Sequence, residues 1–98
     1  MFTVCRTDIF LVWLNGLKDR RAAARIAARI LRLEDGNLGD ARSVGEGVRE
    51  MRINYGPGYR VYFVQTGSTV ILLLCGGDKS KQAHDIAKAK KLARELKE

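Results

Sequence analysis

The segment Glu50-Met-Arg-Ile-Asn-Tyr-Gly-Pro-Gly-Tyr-Arg-Val-Tyr-Phe63 constrains the fold more than any other. Two runs rich in β-branched and aromatic residues flank a Gly-Pro-Gly turn, the pattern of a β-hairpin. Each run carries an arginine near the turn, Arg52 and Arg60. If these two lie opposite each other in the antiparallel pair, the turn region spans Ile53 to Tyr59. Both side chains then leave one face of the sheet. Like charges directly opposite each other are unfavourable. A fold keeps them most readily with an anion between them, and the planar arginine fork suits a phosphate. The alternative is plainer: one arginine pairs with Glu50 and the other meets solvent, where ion pairs count for little.

The chain has 98 residues, which is one small domain, and 46% hydrophobic residues supply a single core. With 30% charged residues there is no room for a membrane span, and the longest apolar run, Val70 to Cys75, is far too short for one. The N-terminus lacks the basic, apolar and small-residue order of a signal peptide, so the expected location is cytoplasmic. A net charge of +7 favours a polyanionic partner: nucleic acid, ribosome or acidic protein. Cys5 and Cys75 lack metal-type spacing and sit in apolar strand-like segments, so both are expected as small buried hydrophobes. His84 is the single histidine, and a metal site is not expected.

Along the chain, Met1 to Cys5 is a short β-like run. Thr7 or Asp8 can cap a helix over Ile9 to Leu17, with Phe10, Trp13, Leu14 and Leu17 on one face. Asp19 can cap a second helix, about Arg20 to Glu34. Its expected buried stripe is Ala23, Ile26, Ala27, Ile30, Leu31 and Leu33, with Arg21, Arg25, Arg29 and Arg32 as a basic stripe. The short link predicts an antiparallel helical hairpin. Gly36 or Asn37 suits a left-handed C-cap, and a loop runs to about Val44. Strands are predicted over Gly47 to Asn54, Tyr59 to Thr66 and Thr69 to Cys75. Gly67-Ser68 forms a two-residue turn, and Gly76-Gly77-Asp78 breaks the last strand. A final helix runs from Lys81 to Lys97, with Ile86, Ala89, Ala93 and Leu96 on one side. The order β-α-α-β-β-β-α predicts an α+β domain, with helices on one face of a mainly antiparallel four-stranded sheet and the other face partly open.

Two glycines at the end of the last strand leave backbone N–H groups accessible. Lys79 and Lys81 follow where the chain leaves the sheet. A cluster of Glu50, Arg52, Arg60, Lys79 and Lys81 on one surface is sterically reasonable. Gly-Gly-Asp-Lys lacks full P-loop spacing and is a weak phosphate signal alone. Tyr59 or Tyr62 could stack on a base.

Taken together, these segments resemble a family. Phe10-Leu-Val-Trp-Leu14, Arg25-Ile-Ala-Ala-Arg-Ile-Leu-Arg-Leu33, Gly36-Asn-Leu-Gly-Asp40, Val44 to Ile53, Tyr55 to Phe63, and Leu73 to Gln82 with Asp85-Ile86 and Ala89 are similar to the RelE/ParE superfamily of bacterial toxins. Within it they look like the HigB-like branch of phage-derived addiction module killer proteins. The likeness covers essentially the whole chain. It implies a compact α+β toxin of a type II toxin–antitoxin system that cleaves mRNA in the ribosomal A site. It also implies a cognate helix-turn-helix antitoxin as partner, with operator DNA reached only through that complex. The implied chemistry uses no metal or cofactor. The RNA 2′-OH attacks the adjacent phosphate and leaves a cyclic phosphate and a 5′-OH. Three tasks follow: removing the 2′-OH proton, stabilising charge on phosphorus, and protonating the leaving oxygen.

By this resemblance Arg52 and Arg60 stabilise the transition state, and Lys79 holds the phosphate or acts on the leaving oxygen. Glu50 is a base or orients an arginine. Some relatives use a histidine or tyrosine near the C-terminus as acid; here His84 either takes that place or is an ordinary surface residue. Lys81, Tyr62, His84, Arg25 and Arg29 are the expected RNA contacts, and the arginines of the second helix read equally as a solvated face. Two other functions share the fold: a ParE-type DNA gyrase inhibitor, and an inactive toxin that only binds its antitoxin.

Overall fold

The computed structural model describes residues 1–96. Elements follow in the order β1 (Thr3–Arg6), α1 (Asp8–Asn15), α2 (Arg20–Glu34), β2 (Ala41–Gly45), β3 (Val48–Ile53), β4 (Tyr59–Thr66), β5 (Val70–Asp78) and α3 (Gln82–Leu96), with a 3₁₀ turn at Lys79–Lys81 before α3. The α+β class expected from the sequence holds. Lys97, the expected last residue of the final helix, lies outside the described residues.

The sheet has five strands rather than four, in the order β1-β5-β4-β3-β2. The extra one is β2, in the segment read as a loop; Arg42, Ser43 and Gly45 are exposed there, so no buried alternation marks it. β1 runs parallel to β5, and all other neighbours are antiparallel. Helices pack on both faces of the sheet rather than on one, but α3 covers only part of its face, which stays partly open as expected. On one side α1 and α2 close a core of Phe10, Ile26, Ile30, Leu33, Met51, Ile53, Val61, Phe63, Ile71 and Leu73. On the other, α3 packs Ala89 and Ala93 against Val48, Tyr62, Leu74 and Cys75. The main contacts of α1 and α2 are with strands: α1 lies on β5, and α2 crosses β1 and β3.

Thr7 caps α1 by accepting from the Phe10 N–H, and Asp19 caps α2 by accepting from Arg21 and Ala22. Gly36, with φ of 92°, supplies the left-handed residue after α2. The buried stripe of α2 is Ala22, Ile26, Ile30 and Leu33, while Leu31 is 63% exposed, so the stripe is rotated from the one expected. Cys5 is exposed, contrary to expectation. Cys75 is buried, and burial pushes its thiol up to about 12. The β4–β5 connection is Gly67-Ser68-Thr69, one residue longer than expected, since Thr66 pairs with Val70.

β5 continues through Gly76 and Gly77 instead of breaking there. Tyr62 pairs with Cys75 and Phe63 with Leu73, so Leu74 is the extra residue of a β-bulge. Beyond it, Gly76 faces α1 and Gly77 faces α3. Both glycines are needed for what covers them. A Cβ on Gly76 would stand 2.3 Å from the Trp13 ring, and one on Gly77 would stand 1.9 Å from Asp85 Oδ2. Trp13 is held by Phe10 at 5.8 Å and Tyr59 at 6.3 Å between ring centroids. Gly76→Ala must displace that ring, and overpacking of this kind costs ~1–3 kcal/mol. The expected result is a lower urea midpoint with a shifted Trp13 emission; an unchanged midpoint would show that Trp13 swings away freely.

Candidate active site

Arg52 and Arg60 are paired opposite each other across β3 and β4, the register expected from the hairpin. On the same face, two residues further from the turn, stand Glu50 and its partner Tyr62. The face is half interior and half open because α3 covers only its inner part. Glu50 and Tyr62 are 0% exposed, while Arg52 is exposed.

The site is layered. Glu50 lies behind, with four partners. Arg42 Nε donates to its Oε1 at 3.1 Å; Tyr62 Oη and Gln82 Nε2 donate to its Oε2 at 3.0 and 2.9 Å. Arg60 Nε approaches the same Oε2 at 3.5 Å. Burial pushes the Glu50 carboxyl up, but the hydrogen bonds from Gln82, Tyr62 and Arg42 and the Arg42 charge outweigh it and hold it below its ordinary value. Burial, then the bond to Glu50, pushes the Tyr62 phenol well above its ordinary range. Tyr62 therefore offers no ring face to a base, which corrects its place among the RNA contacts.

Arg60 is itself buried, yet reaches forward: its Nη1 donates to the Gly58 carbonyl at 2.7 Å. Gly58 has φ of 81°, and a Cβ there would crowd Arg60 Nη1 at 3.2 Å and Lys79 Cβ at 3.6 Å. The turn glycine thus lets Arg60 and Lys79 converge. Arg52 Nη2 donates to Asp40 Oδ1 at 3.1 Å. The three cations open onto one cleft of about 450 Å³, lined by Asp40, Arg52, Asn54, Gly58, Arg60 and Lys79 among others. Asp40 is its one carboxylate among the described residues. A cleft of this kind can hold a phosphate with two guanidinium forks and an ammonium.

The remaining expected residues fall elsewhere. Arg25 and Arg29 line a groove of about 280 Å³ on α2 that shares Ile53 and Asn54 with the cleft. Arg25 stacks over the Tyr55 ring at 4.6 Å. Arg29 is tied down, donating to the backbone carbonyls of Arg52 and Leu38. Lys81 and His84 line a separate cleft on the far side of Tyr59 and do not meet Arg52. Asp78 caps the 3₁₀ turn, and two hydrogen bonds from Ser80 hold its carboxyl below the ordinary range. Asp40, Gly58 and Gln82 went unread in the sequence. The positive-φ demand of a Gly-Pro-Gly turn was a signal for Gly58; nothing local marks Gln82, which meets Glu50 only through the docking of α3.

Among the described residues no group of three His, Cys, Asp or Glu is placed to hold a metal ion, and no helix is long and apolar enough to cross a membrane.

Fold and cleft together define a small basic α+β domain with a cation-lined cleft at one end of its sheet. The chain belongs to the phage-derived Gp49-like protein family, which it matches over residues 12–98. It is also 55% identical over 90 residues to an uncharacterised protein of Haemophilus influenzae, covering 92% of this chain and 91% of that one.

Proposed function

We propose that this protein is the toxin of a type II toxin–antitoxin pair and acts as a ribosome-dependent mRNA endoribonuclease. The observation that carries this reading is the convergence of Arg52, Arg60 and Lys79 on one cleft, with Arg60 fixed from behind by a buried carboxylate. In this reading the scissile phosphate sits between the two guanidinium groups, which stabilise the added charge as the 2′-OH attacks. Lys79 holds the phosphate and protonates the leaving 5′-oxygen. Glu50 is closed off by its four partners, so its role is to position Arg60 and not to take a proton. Asp40, the carboxylate that faces the cleft, accepts the 2′-OH proton and orients Arg52. No step calls on a metal or cofactor.

The groove beside Arg25 and Arg29 continues the site along the RNA backbone and gives binding a marked salt dependence. A helix-turn-helix antitoxin with acidic segments covers this basic surface, and operator DNA is met only in that complex. Both partners place the protein in the cytoplasm.

The deciding experiment maps mRNA cleavage by the purified protein with and without translating ribosomes. The expected result is cutting on ribosomes that leaves 2′,3′-cyclic phosphate and 5′-OH ends. Intact mRNA together with DNA damage on expression would move the protein to the gyrase-inhibitor class.

A further inference from the structure

The groove on α2, of about 280 Å³, is lined by the apolar Ala28 and Ile53 as well as by Arg25, Arg29, Arg32 and Asn54. A track for an RNA backbone needs only the cations. Apolar ground between them is what the face of a base needs. Arg25 lies over the Tyr55 ring at 4.6 Å. Tyr55 does not line the groove, so the guanidinium stands between the ring and the groove. Tyr55 is packed against the main core, and its carbonyl accepts from the Gly58 N–H at 3.1 Å. The stack is therefore anchored on the same turn that lets Arg60 and Lys79 converge. Arg29 is held by two backbone carbonyls, whereas neither Arg25 nor Arg32 is in an ion pair among the described residues. Both of those charges are open to a ligand.

A guanidinium held over an aromatic ring offers its other face for stacking, and a nucleobase is the flat partner that such a face takes. Because the ring fixes the guanidinium in advance, little side-chain freedom is lost when the base arrives. The position fits as well. Ile53 and Asn54 line both the groove and the Arg52–Arg60–Lys79 cleft, so the two are continuous. A phosphate between Arg52 and Arg60 brings the adjoining base to the groove. Asn54 is exposed at the junction, and its amide carries both donors and an acceptor for the edge of that base.

We propose that Arg25, backed by Tyr55, is a stacking platform for the base adjoining the phosphate held in the cation cleft. The proposal rests on the reading of that cleft as an RNA site and adds a base-binding subsite to it. Stacking on a π-face accepts every base, so the platform grips single-stranded RNA without choosing its sequence.

The test uses the full chain and the 2′-O-methyl dinucleotide ApA, which lacks the attacking hydroxyl. Its single bridging phosphate fixes its register on the cation cleft. Two further probes carry the same phosphate with one or the other base removed. Binding is followed at low salt by the NMR shift of the Asn54 side-chain amide. One of the two abasic probes should bind ~10-fold more weakly than ApA. Arg25→Lys keeps the charge but loses the plane, so it should bind ApA and that abasic probe alike. Arg25 is exposed, so the variant keeps its fold. Equal binding of all three probes by the wild type, a difference that survives Arg25→Lys, or no binding of any probe overturns the proposal. Equal binding is also what a groove reserved for an acidic antitoxin segment would give. The result separates from that of the cleavage assay. A chain that shows the base-dependent difference but leaves mRNA whole keeps the platform and loses the nuclease; one that cuts mRNA without that difference does the reverse.

Discussion

Arg60→Ala should abolish growth arrest while leaving antitoxin binding mostly intact. Arg60 presents its guanidinium between Glu50 behind it and the cleft in front. Removing one charge-stabilising donor from a preorganised site typically costs ~10²–10³-fold in rate. The measurement is the rate of mRNA cleavage on ribosomes, with circular dichroism to confirm the fold. Arg60→Lys should recover little, because an ammonium cannot reproduce a fork held at Gly58 and aimed at a phosphate. Undiminished toxicity in Arg60→Ala would remove Arg60 from the chemistry and take the proposed phosphate site with it.

Glu50→Ala should have the largest effect on stability. It leaves the buried Arg60 without a counter-charge, and it strips the partner from Tyr62 and Gln82. Breaking a buried pair this way costs about 3–5 kcal/mol, a large share of the ~5–15 kcal/mol that holds a domain together. Urea denaturation should show the variant unfolding far earlier than the wild type; a midpoint near wild type would mean that water reaches Arg60. Glu50→Gln keeps the shape, so it should fold better than Glu50→Ala yet cut mRNA more slowly. The same carboxyl sets an acid limb. Its folded pKa is held below the ordinary value of 4.5, so its stabilisation is complete above that value and is lost as pH falls through the folded pKa. Asp85 acts with the opposite sign: burial raises its carboxyl, and its contribution is lost as pH rises through the raised value. Glu50→Gln should flatten the loss of stability below 4.5, leaving the opposing slope of Asp85.

The hairpin and its paired arginines were legible because two β-rich runs and a turn lie within a few residues of each other. There the register follows from local counting alone. The same counting put Arg52 and Arg60 on one face but could not say what covers it. Only the docking of α3, fixed by contacts distant in sequence, divides that face into a buried half and an open one. β2 escaped notice because an edge strand with exposed Arg42 and Ser43 carries no apolar alternation. Gly76 and Gly77 looked like a strand end because glycine is a poor strand former. Packing overrides that preference, since only glycine admits Trp13 on one face and Asp85 on the other. The stripe of α2 was misplaced through its alanines, which sit as cheaply outside as inside.

The bulge at Leu74 serves the core beneath α3 more than the aim of the clefts. The part of β5 that fills the core and the part that builds both clefts are out of step by one residue. Deleting Leu74 would make Phe63–Leu73 and Tyr62–Cys75 neighbouring rungs of a continuous ladder and take one buried side chain from beneath α3. Gly76 would stay opposite Val61 and under Trp13, and Gly77 opposite Arg60 and under Asp85. A relative with that one-residue gap would therefore keep the facing of the site and lose part of the layer that holds α3 over it.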